Sequence, residues 1–217
     1  MTILGVYGAS GFGREVMPVA EAMLAARGED GIRLVFIDDG AAGEPVNGFD
    51  CLSFDSFAAL DGDKSVAVAI ADGKVRENLE QKCLGRGFAL ATIIGPQSTI
   101  GHGVEMAPGA IFCSFSLVTS NTVIGRGFHA NLYSYVAHDC IIGDYVTFAP
   151  GVKCNGNIVI EDYAYIGTGA VLKQGQPGKP LTIGAGAIVG MGAVVTRDVP
   201  AGMTVVGNPA KPFPPVS

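Results

Sequence analysis

The sequence is poor in the residues that mark several large classes of protein. Charged residues make up only 16% of the 217-residue chain, with 14 basic and 20 acidic side chains and a net charge of −6. A nucleic-acid-binding surface needs a basic patch, so this balance argues against such a partner. The sequence also lacks an apolar run as long as a membrane span. It therefore predicts a protein that neither binds nucleic acid nor crosses a membrane.

Cysteine and histidine are also scarce. The five cysteines include no Cys-x-x-Cys pair and their number is odd, which predicts reduced side chains in a cytoplasmic protein. A structured motif already occupies the first residues, so we expect no signal peptide. The three histidines, His102, His129 and His138, fall at different phases of the repeat described below. A zinc site needs converging ligands, so we expect no bound metal.

Glycine is abundant, at 32 residues, and the chain around it is periodic. From residue 94 to residue 172 every sixth residue is apolar, whereas a helix has a period near 3.6 and a strand a period of 2. A parallel β-helix built from hexapeptides has this period. Three hexapeptides form one triangular coil, and the inward residues of successive coils stack about 4.8 Å apart. The predicted inward residues are Ile94, Ile100, Met106, Phe112, Val118, Ile124, Ala130, Val136, Ile142, Phe148, Cys154, Ile160, Ile166 and Leu172.

The repeat has one interruption. It resumes at Ile183, Val189 and Val195 after the segment Gln174–Pro180, which we expect to bulge from the prism as a loop. Large side chains between the inward positions are predicted to face outward and to form apolar surface, which usually marks an interface. These predicted outward residues are Phe115, Phe128, Tyr133, Tyr135 and Tyr145.

The first ninety residues have a different pattern. Strand Thr2–Tyr7 leads into the turn GASGFG at 8–13, a helix follows, and strand Arg33–Ile37 ends at two acids. Backbone amides at a helix N-terminus favour a phosphate, and acids after the second strand can accept from sugar hydroxyls. A tight turn needs glycine in any case, so a purely structural turn is the alternative. We predict a small Rossmann-like α/β domain over residues 1–92 and a left-handed parallel β-helix domain over residues 93–217.

One side-chain pair in the repeat suggests catalysis. His138 follows the inward Val136 by two places and should therefore lie on the outside of its coil, next to Asp139. Imidazole is the usual general base near neutral pH, and an adjacent carboxylate can orient one ring nitrogen. The alternative is a surface histidine beside an unrelated aspartate. We expect His102 and His129 to be surface or corner residues.

The whole chain resembles the bacterial nucleotide-sugar acetyltransferases, the group of sialic acid O-acetyltransferases and UDP-bacillosamine or GDP-perosamine N-acetyltransferases. Three segments carry the resemblance: GASGFGREV at 8–16 with FIDD at 36–39; Asn131 with HDCIIGD at 138–144; and VVTRDVP at 194–200 with VGNPAK at 206–211. The resemblance implies a homotrimer that binds acetyl-CoA in the groove between two prisms and a nucleotide-sugar on the N-terminal domain.

The resemblance also implies roles for individual residues. His138 would be the base, Asp139 would tune it, and Asn131 would help to place the acceptor sugar. Phe12 and Thr147 depart from the family pattern, because relatives usually have histidine at both positions. The implied nucleotide-sugar contacts are Ser10, Gly11, Phe12, Gly13, Asp38 and Asp39. The implied acetyl-CoA contacts are Thr147, Gly156, Thr168, Gly190, Met191 and Lys211.

Three functions are compatible with the sequence. The first is an acetyl-CoA-dependent N-acetyltransferase that acts on the amine of a UDP- or GDP-linked 4-amino sugar. The second is an O-acetyltransferase of the sialic acid type, which would use the same base. The third is a non-catalytic trimeric scaffold that binds a nucleotide-sugar. The sequence does not separate the first two.

Overall fold

The structure, a computed structural model, describes residues 1–214 and begins with a parallel α/β sheet. Its elements are β1 (Thr2–Tyr7), α1 (Gly11–Arg27), β2 (Arg33–Ile37), β3 (Cys51–Leu52), α2 (Phe54–Ala59), β4 (Asp63–Val68), α3 (Gly73–Leu84) and β5 (Ala89–Leu90). The strand order is β3-β2-β1-β4-β5, so the order of the strands reverses between β1 and β4. The predicted Rossmann-like half is confirmed, with an added short strand and helix that the sequence did not predict.

A three-sided prism of stacked coils follows, which is the predicted left-handed parallel β-helix. The first face contains β6 (Ile93–Ile94), β9 (Ile111–Phe112), β12 (His129–Ala130), β15 (Thr147–Phe148), β18 (Tyr165–Ile166), β21 (Ile188–Val189), β23 (Thr204–Val206) and β24 (Lys211–Pro212). The second face contains β7 (Thr99–Ile100), β10 (Leu117–Val118), β13 (Tyr135–Val136), β16 (Lys153–Cys154), β19 (Val171–Leu172) and β22 (Val194–Val195). The third face contains β8 (Val104–Met106), β11 (Thr122–Ile124), β14 (Ile141–Ile142), β17 (Ile158–Ile160) and β20 (Leu181–Ile183).

The predicted inward residues form the core of the prism. Val118 pairs with Val136, Val136 with Cys154 and Cys154 with Leu172, so equivalent residues recur every eighteen positions on one face. From Phe112 to Leu172 all of them are buried. The three earliest are partly buried against the same core, because the terminal coil has a neighbour on one side only. Burial of this column supplies the hydrophobic stabilisation that holds the coils together.

Each edge of the prism needs a residue with left-handed backbone. At the edge between the second and third faces these residues are Gly103, Asn121, Asp139 and Asn157, with φ between +51° and +68°. Glycine, asparagine and aspartate tolerate this conformation best. At this edge the eighteen-residue spacing therefore governs residue type at the corner as well as in the core, whereas aromatic residues such as Phe115 and Tyr133 adopt the same conformation at another edge.

The interruption at Gln174–Pro180 is a loop at the same edge, as predicted. Leu172 pairs with Val195, 23 residues on, whereas the preceding coils pair residues 18 apart, so the loop adds five residues (23 − 18). Gln176 and Lys179 exchange two backbone hydrogen bonds of 3.0 and 2.9 Å, which close a tight turn.

Two of the predicted outward aromatic residues are in fact buried. Phe115 and Tyr133 are exposed and Tyr135 is partly buried. The prediction for Phe128 is wrong, whereas Tyr145 leaves the prism as predicted but forms no exposed surface. Phe128 lies two places before the inward Ala130, and a side chain two places along a strand points to the same side. It packs inside the prism against Phe112 and Phe148. Tyr145 lies beneath α3, where it stacks on Tyr163.

The prediction that His129 is a surface or corner residue is also wrong. Its side chain on the first face is fully buried, because the α/β part covers that face of the prism. His102, in contrast, is exposed as predicted.

The contact between the α/β part and the prism includes charged groups. Arg76 and Glu80 of α3 are 0% and 1% exposed. The Arg76 guanidinium donates to the Tyr145 carbonyl oxygen (2.7 Å) and the Thr147 hydroxyl (3.1 Å), and the Tyr145 hydroxyl donates to Glu80 (3.2 Å). Burial raises the pKa of Glu80 to about 7 and lowers the pKa of Arg76 to about 10. This arrangement couples the two parts through specific polar contacts.

We propose the boundary between the two parts at residue 92, because the α/β sheet ends at Leu90 and the prism begins at Ile93. The boundary is not a gap in packing. Val16 and Val19 of α1 share one apolar cluster with Ile93 and Ile111 of the first face. The last three residues of the predicted second domain lie outside the described residues.

Replacement of Glu80 by glutamine should change the pH dependence of stability. The pKa of Glu80 is raised from 4.5 to about 7 in the folded state, so the folded chain binds the extra proton more tightly. Stability from this group is present below pH 4.5 and is lost as the pH rises through 7. Relative to Glu80→Gln, the wild-type free energy of unfolding should fall by on the order of 2 kcal/mol between pH 4.5 and 8. Urea unfolding of both proteins across this range measures the difference, and a constant difference would contradict the assignment.

Candidate active site

His138 lies on the outside of the prism, at the edge between the second and third faces. Its Nδ1 is 2.7 Å from Asp139 Oδ2, and both side chains are about half exposed. The backbone of the pair is held by the adjoining coils. Asp139 N donates to Ser120 O on one side (3.1 Å), and Asn157 N donates to His138 O on the other (3.0 Å). The fold thus presents an oriented imidazole to solvent.

Gly156 follows His138 by eighteen residues and lies directly beneath its ring. A Cβ atom at Gly156 would be 2.5 Å from Cε1 and 2.6 Å from Nε2 of His138. Only glycine leaves room for the ring against this coil. Gly156 is therefore brought together with His138 and Asp139, and it has a packing role that the sequence did not indicate.

Asn131 and three of the six predicted acetyl-CoA contacts lie on a different edge, between the first and second faces. Asn131 accepts from Leu132 N through Oδ1 (2.7 Å). Thr168, Gly190 and Met191 follow along this edge, and the Met191 side chain is 81% exposed. Five residues of the second face separate the two edges, or ~16 Å at the usual rise along a strand. A single chain does not bring these residues to His138.

The remaining two predicted acetyl-CoA contacts lie apart from this edge column. The Thr147 hydroxyl is buried under the α/β part, donates to Ala71 O (2.8 Å) and accepts from Arg76. Lys211 is exposed on β24, which pairs antiparallel to β23 near the C-terminal end of the prism.

The glycine-rich turn has close packing that requires its glycines. A Cβ atom at Gly13 would be 1.8 Å from Gly8 O, and Gly8 has a φ of +107°. Ser10 and Gly11 are exposed at the start of α1, whose first turn contains no acidic residue. The positive end of the helix dipole is therefore open to an anion.

The two acids after β2 already have partners in the protein. Asp38 accepts from Ala9 N (2.9 Å) and from Gly40 N (3.0 Å), which ties it to the glycine-rich turn. Asp39 accepts from Phe54 N at the start of α2 (2.8 Å). The structure brings Asp38 to the turn as the sequence predicted, but there the Asp38 carboxylate holds the backbone of the turn in place. Short-range sequence patterns did not reveal this role.

A cavity of about 130 Å³ joins the turn to the prism. Its lining includes Phe12, Ala71 and Asn131, together with Thr147 and Thr168. Ala71 follows β4, so the cavity lies near the carboxyl ends of β1 and β4, where the sheet order reverses. Ligands of open α/β sheets bind at such points. A larger cavity of about 420 Å³ shares three lining residues with it and continues along the first face.

His129 is a buried residue near this site that the sequence analysis misjudged. Phe12 packs against its ring, with centroids 5.1 Å apart. Burial, and secondarily the nearby Arg76, lower the pKa of His129 well below its ordinary value, so its ring is neutral. Phe12 and His129 are 117 residues apart, and no local sequence pattern indicated this contact.

Within residues 1–214 no three histidine, cysteine or carboxylate side chains are placed to hold a metal ion. No helix in this range combines the length and apolar character needed to cross a membrane. All five cysteines are free and buried. Two features of the candidate site remain, an oriented imidazole–carboxylate pair and a helix end that can bind an anion.

A hexapeptide prism with an exposed imidazole–carboxylate pair defines the class of hexapeptide-repeat acyltransferases. A family model described as the PglD N-terminal domain matches residues 4–83. The GDP-perosamine N-acetyltransferase of Escherichia coli O157:H7 is 52% identical over 97% of this chain and 96% of its own length. The chain belongs to this family of nucleotide-sugar N-acetyltransferases.

Two solved structures extend the likeness. WeeI from Acinetobacter baumannii AYE is 54% identical, with a TM-score of 0.93 over 98% of this chain and 100% of that one. The acetyltransferase domain of PglB from Neisseria gonorrhoeae FA1090, in complex with acetyl coenzyme A, is 32% identical. Its TM-score is 0.87 over 97% of this chain and 98% of that one.

A double-mutant cycle should reveal the contact between Gly156 and His138. Gly156→Ala places a methyl group against the His138 ring and should destabilise the protein by about 1 kcal/mol. In a His138→Ala background the ring is absent, so the same substitution should have little effect. Thermal unfolding of the four proteins measures the coupling. Gly31→Ala, which meets open space, is the control. Equal effects of Gly156→Ala in both backgrounds would exclude the contact.

Proposed function

We propose that this protein transfers an acetyl group from acetyl-CoA to the amine of a GDP-linked 4-amino sugar. The observation that carries the proposal is the His138–Asp139 pair, fixed on the outer edge of the prism at 2.7 Å. The GDP-perosamine N-acetyltransferase relative supports the acceptor. The PglB domain, solved with acetyl coenzyme A, supports the donor.

The proposed chemistry needs one base. With Nδ1 donating to Asp139, the His138 Nε2 is the acceptor, and it takes a proton from the sugar amine as the nitrogen attacks the thioester carbonyl. The tetrahedral intermediate then collapses, the carbon–sulfur bond breaks, and the imidazolium returns its proton to the departing thiolate. A backbone amide at a prism corner is the proposed donor to the oxyanion.

We propose that a homotrimer completes the site. His138 lies on one edge, while Asn131, Thr168, Gly190 and Met191 lie on another, ~16 Å away across the second face. A groove between two prisms joins unlike edges of neighbouring chains, as a head-to-tail interface in a closed ring requires. Acetyl-CoA would lie in this groove, with Gly156 beneath the base and Lys211 toward the C-terminal coils.

The nucleotide-sugar is proposed to bind at the glycine-rich turn. Its diphosphate would meet the open N-terminus of α1 at Ser10, Gly11 and Gly13, with Phe12 lining the adjoining cavity. Asp38 and Asp39 would shape this site through the loops that they hold. Thr147 would contribute its methyl group to the cavity wall, because its hydroxyl already has protein partners.

O-acetylation of a sugar hydroxyl is the alternative reaction for the same base. The name of the E. coli relative favours the amine. Incubation with acetyl-CoA and either GDP-perosamine or free sialic acid separates the two, because only the true acceptor releases CoA. Release with sialic acid alone would overturn the proposed acceptor.

Replacement of His138 by alanine should lower kcat by roughly 10²–10⁴-fold, which is the usual contribution of a positioned base. The dissociation constant for acetyl-CoA should change little, because the base contacts the reacting atoms and not the nucleotide. Asp139→Asn keeps a residue that tolerates the left-handed corner, so its effect on kcat isolates the carboxylate. Calorimetry and initial rates provide both quantities. An unchanged kcat in His138→Ala would remove this residue from the base role.

Mixed trimers should show that two chains share a site. His138→Ala and Asn131→Ala chains are each expected to have low activity alone. If base and amide come from neighbouring chains, random co-assembly after co-expression restores both residues in about a quarter of the sites. Specific activity should then recover to about that fraction of the wild type. No recovery, with the mixed trimers demonstrated by differential tags, would place both residues in the same chain's site or in neither.

A further inference from the structure

A groove of about 410 Å³ lies on the same edge of the prism as His138, toward the C-terminal coils. The loop 174–180 forms one wall, and the next coil forms the other. None of the residues assigned to substrate or cofactor above lines it. The lining residues are Lys173, Gln174, Gly175, Gln176, Lys179, Pro180, Leu181, Thr196, Arg197 and Asp198.

The charge of the groove is opposite in sign to that of the chain. Three cations, Lys173, Lys179 and Arg197, line it together with one acid, Asp198, whereas the whole chain has a net charge of −6. Residues 93–217 contain only six basic side chains, so half of them converge here. Asp198 accepts a hydrogen bond from Thr182 N (2.9 Å), so one of its carboxylate oxygens is already engaged within the protein. A groove with this charge attracts anions.

The three cations are available to a ligand. All are exposed, and no ion pair within residues 1–214 involves them. The fold brings three like charges and a single carboxylate to one edge, and a bound anion would relieve the repulsion among the cations.

The loop is a formed structure rather than a loose insertion. Gly175 N donates to Gly156 O (3.0 Å), and Leu181 N donates to Asn157 O (3.2 Å). A Cβ atom at Gly175 would be 2.1 Å from Asn157 O, so this close approach needs glycine. The loop is therefore fastened to the coil that supports the His138 ring. A preformed wall lowers the entropy lost when a ligand binds.

The groove lies at a distance from His138 that the extended pantetheine arm of an acyl thioester can span. Gly156, Gln174 and Arg197 are the successive equivalents of His138 along the edge. Stacking at about 4.8 Å per coil places Gln174 ~10 Å and Arg197 ~14 Å along the prism axis from the base. A thioester at His138 has its anionic nucleotide at the other end of the extended pantetheine arm.

We propose that Lys173, Lys179 and Arg197 bind the phosphate groups of coenzyme A, with the loop 174–180 as the preformed wall. This inference rests on the proposed function. The pyrophosphate of the nucleotide-sugar has the same chemistry, but its proposed site at the glycine-rich turn lies on the side of the prism covered by the α/β part. The phosphates at Lys179 would orient the arm so that the thioester carbonyl meets the base.

Charge removal tests the site. Lys179→Ala and Arg197→Ala should each raise the KM for acetyl-CoA about tenfold, the usual loss for a hydrogen bond to a charged group, and the double variant should raise it further. The kcat and the KM for GDP-perosamine should stay at the wild-type values, because the reacting atoms lie ~10 Å or more away. Lys179→Arg should largely restore binding. Arg27→Ala, which removes an exposed cation from α1, is the control for net charge.

Ligand truncation identifies the phosphate. Calorimetry with CoA, dephospho-CoA and pantetheine should show a loss of affinity for the wild type at each removal of phosphate, and a smaller loss for the double variant. Equal affinities of wild type and variants for CoA would overturn the proposed phosphate site but would leave the proposed acetyltransferase function intact. Raised KM for GDP-perosamine alone would assign the groove to the nucleotide-sugar and also overturn the proposal. Failure of the wild type to bind CoA would instead overturn the proposed function.

Discussion

The stacking of inward side chains at an interval of eighteen residues is the constraint on which the rest of this structure depends. Val118, Val136, Cys154 and Leu172 form one such column, and each edge of the prism repeats with the same interval. A coil cannot shift without exposing its apolar residues and moving a side chain out of a left-handed corner. Any chemistry on this surface must therefore use positions that the column leaves free, and those positions lie along the edges and on the outward side of the faces.

Two residues of the edge that carries His138 serve the fold and the candidate site together. Asp139 contacts the imidazole and also occupies the left-handed corner that Asn121 and Asn157 occupy in neighbouring coils. Gly156 leaves space for the His138 ring, although it is not itself in the left-handed region. Of the two residue types with a side-chain carboxylate, aspartate is the one that tolerates this left-handed backbone. The repeat thus limits which residues can accompany a base here, and the observed pair satisfies both demands.

The sequence predicted the prism well because the six-residue apolar period is visible in the chain itself. The same period predicted that His138 faces outward. It failed where contacts join distant segments. His129 and Tyr145 are buried by α3 and the glycine-rich turn, which no pattern within the repeat records. The roles of Asp38 and Asp39 depend on loops that follow β2 and precede α2. Phe128 is different, since its column includes Ala110 and Val146, both buried, and an alternation of two would have predicted its burial.

The buried polar contact at α3 accounts for threonine at residue 147, where the resemblance implies histidine in many relatives. The Thr147 hydroxyl lies between Ala71 O and the Arg76 guanidinium, which in turn contacts the neutral ring of His129 at 3.3 Å. A larger, ionisable imidazole at this position would face a buried guanidinium, and desolvation would oppose its protonation. Threonine satisfies the available donor and acceptor in less space. In this chain the Thr147 side chain therefore helps to hold the α/β part on the prism, and its hydroxyl, which already donates and accepts within the protein, has no free proton to offer the proposed acetyl donor.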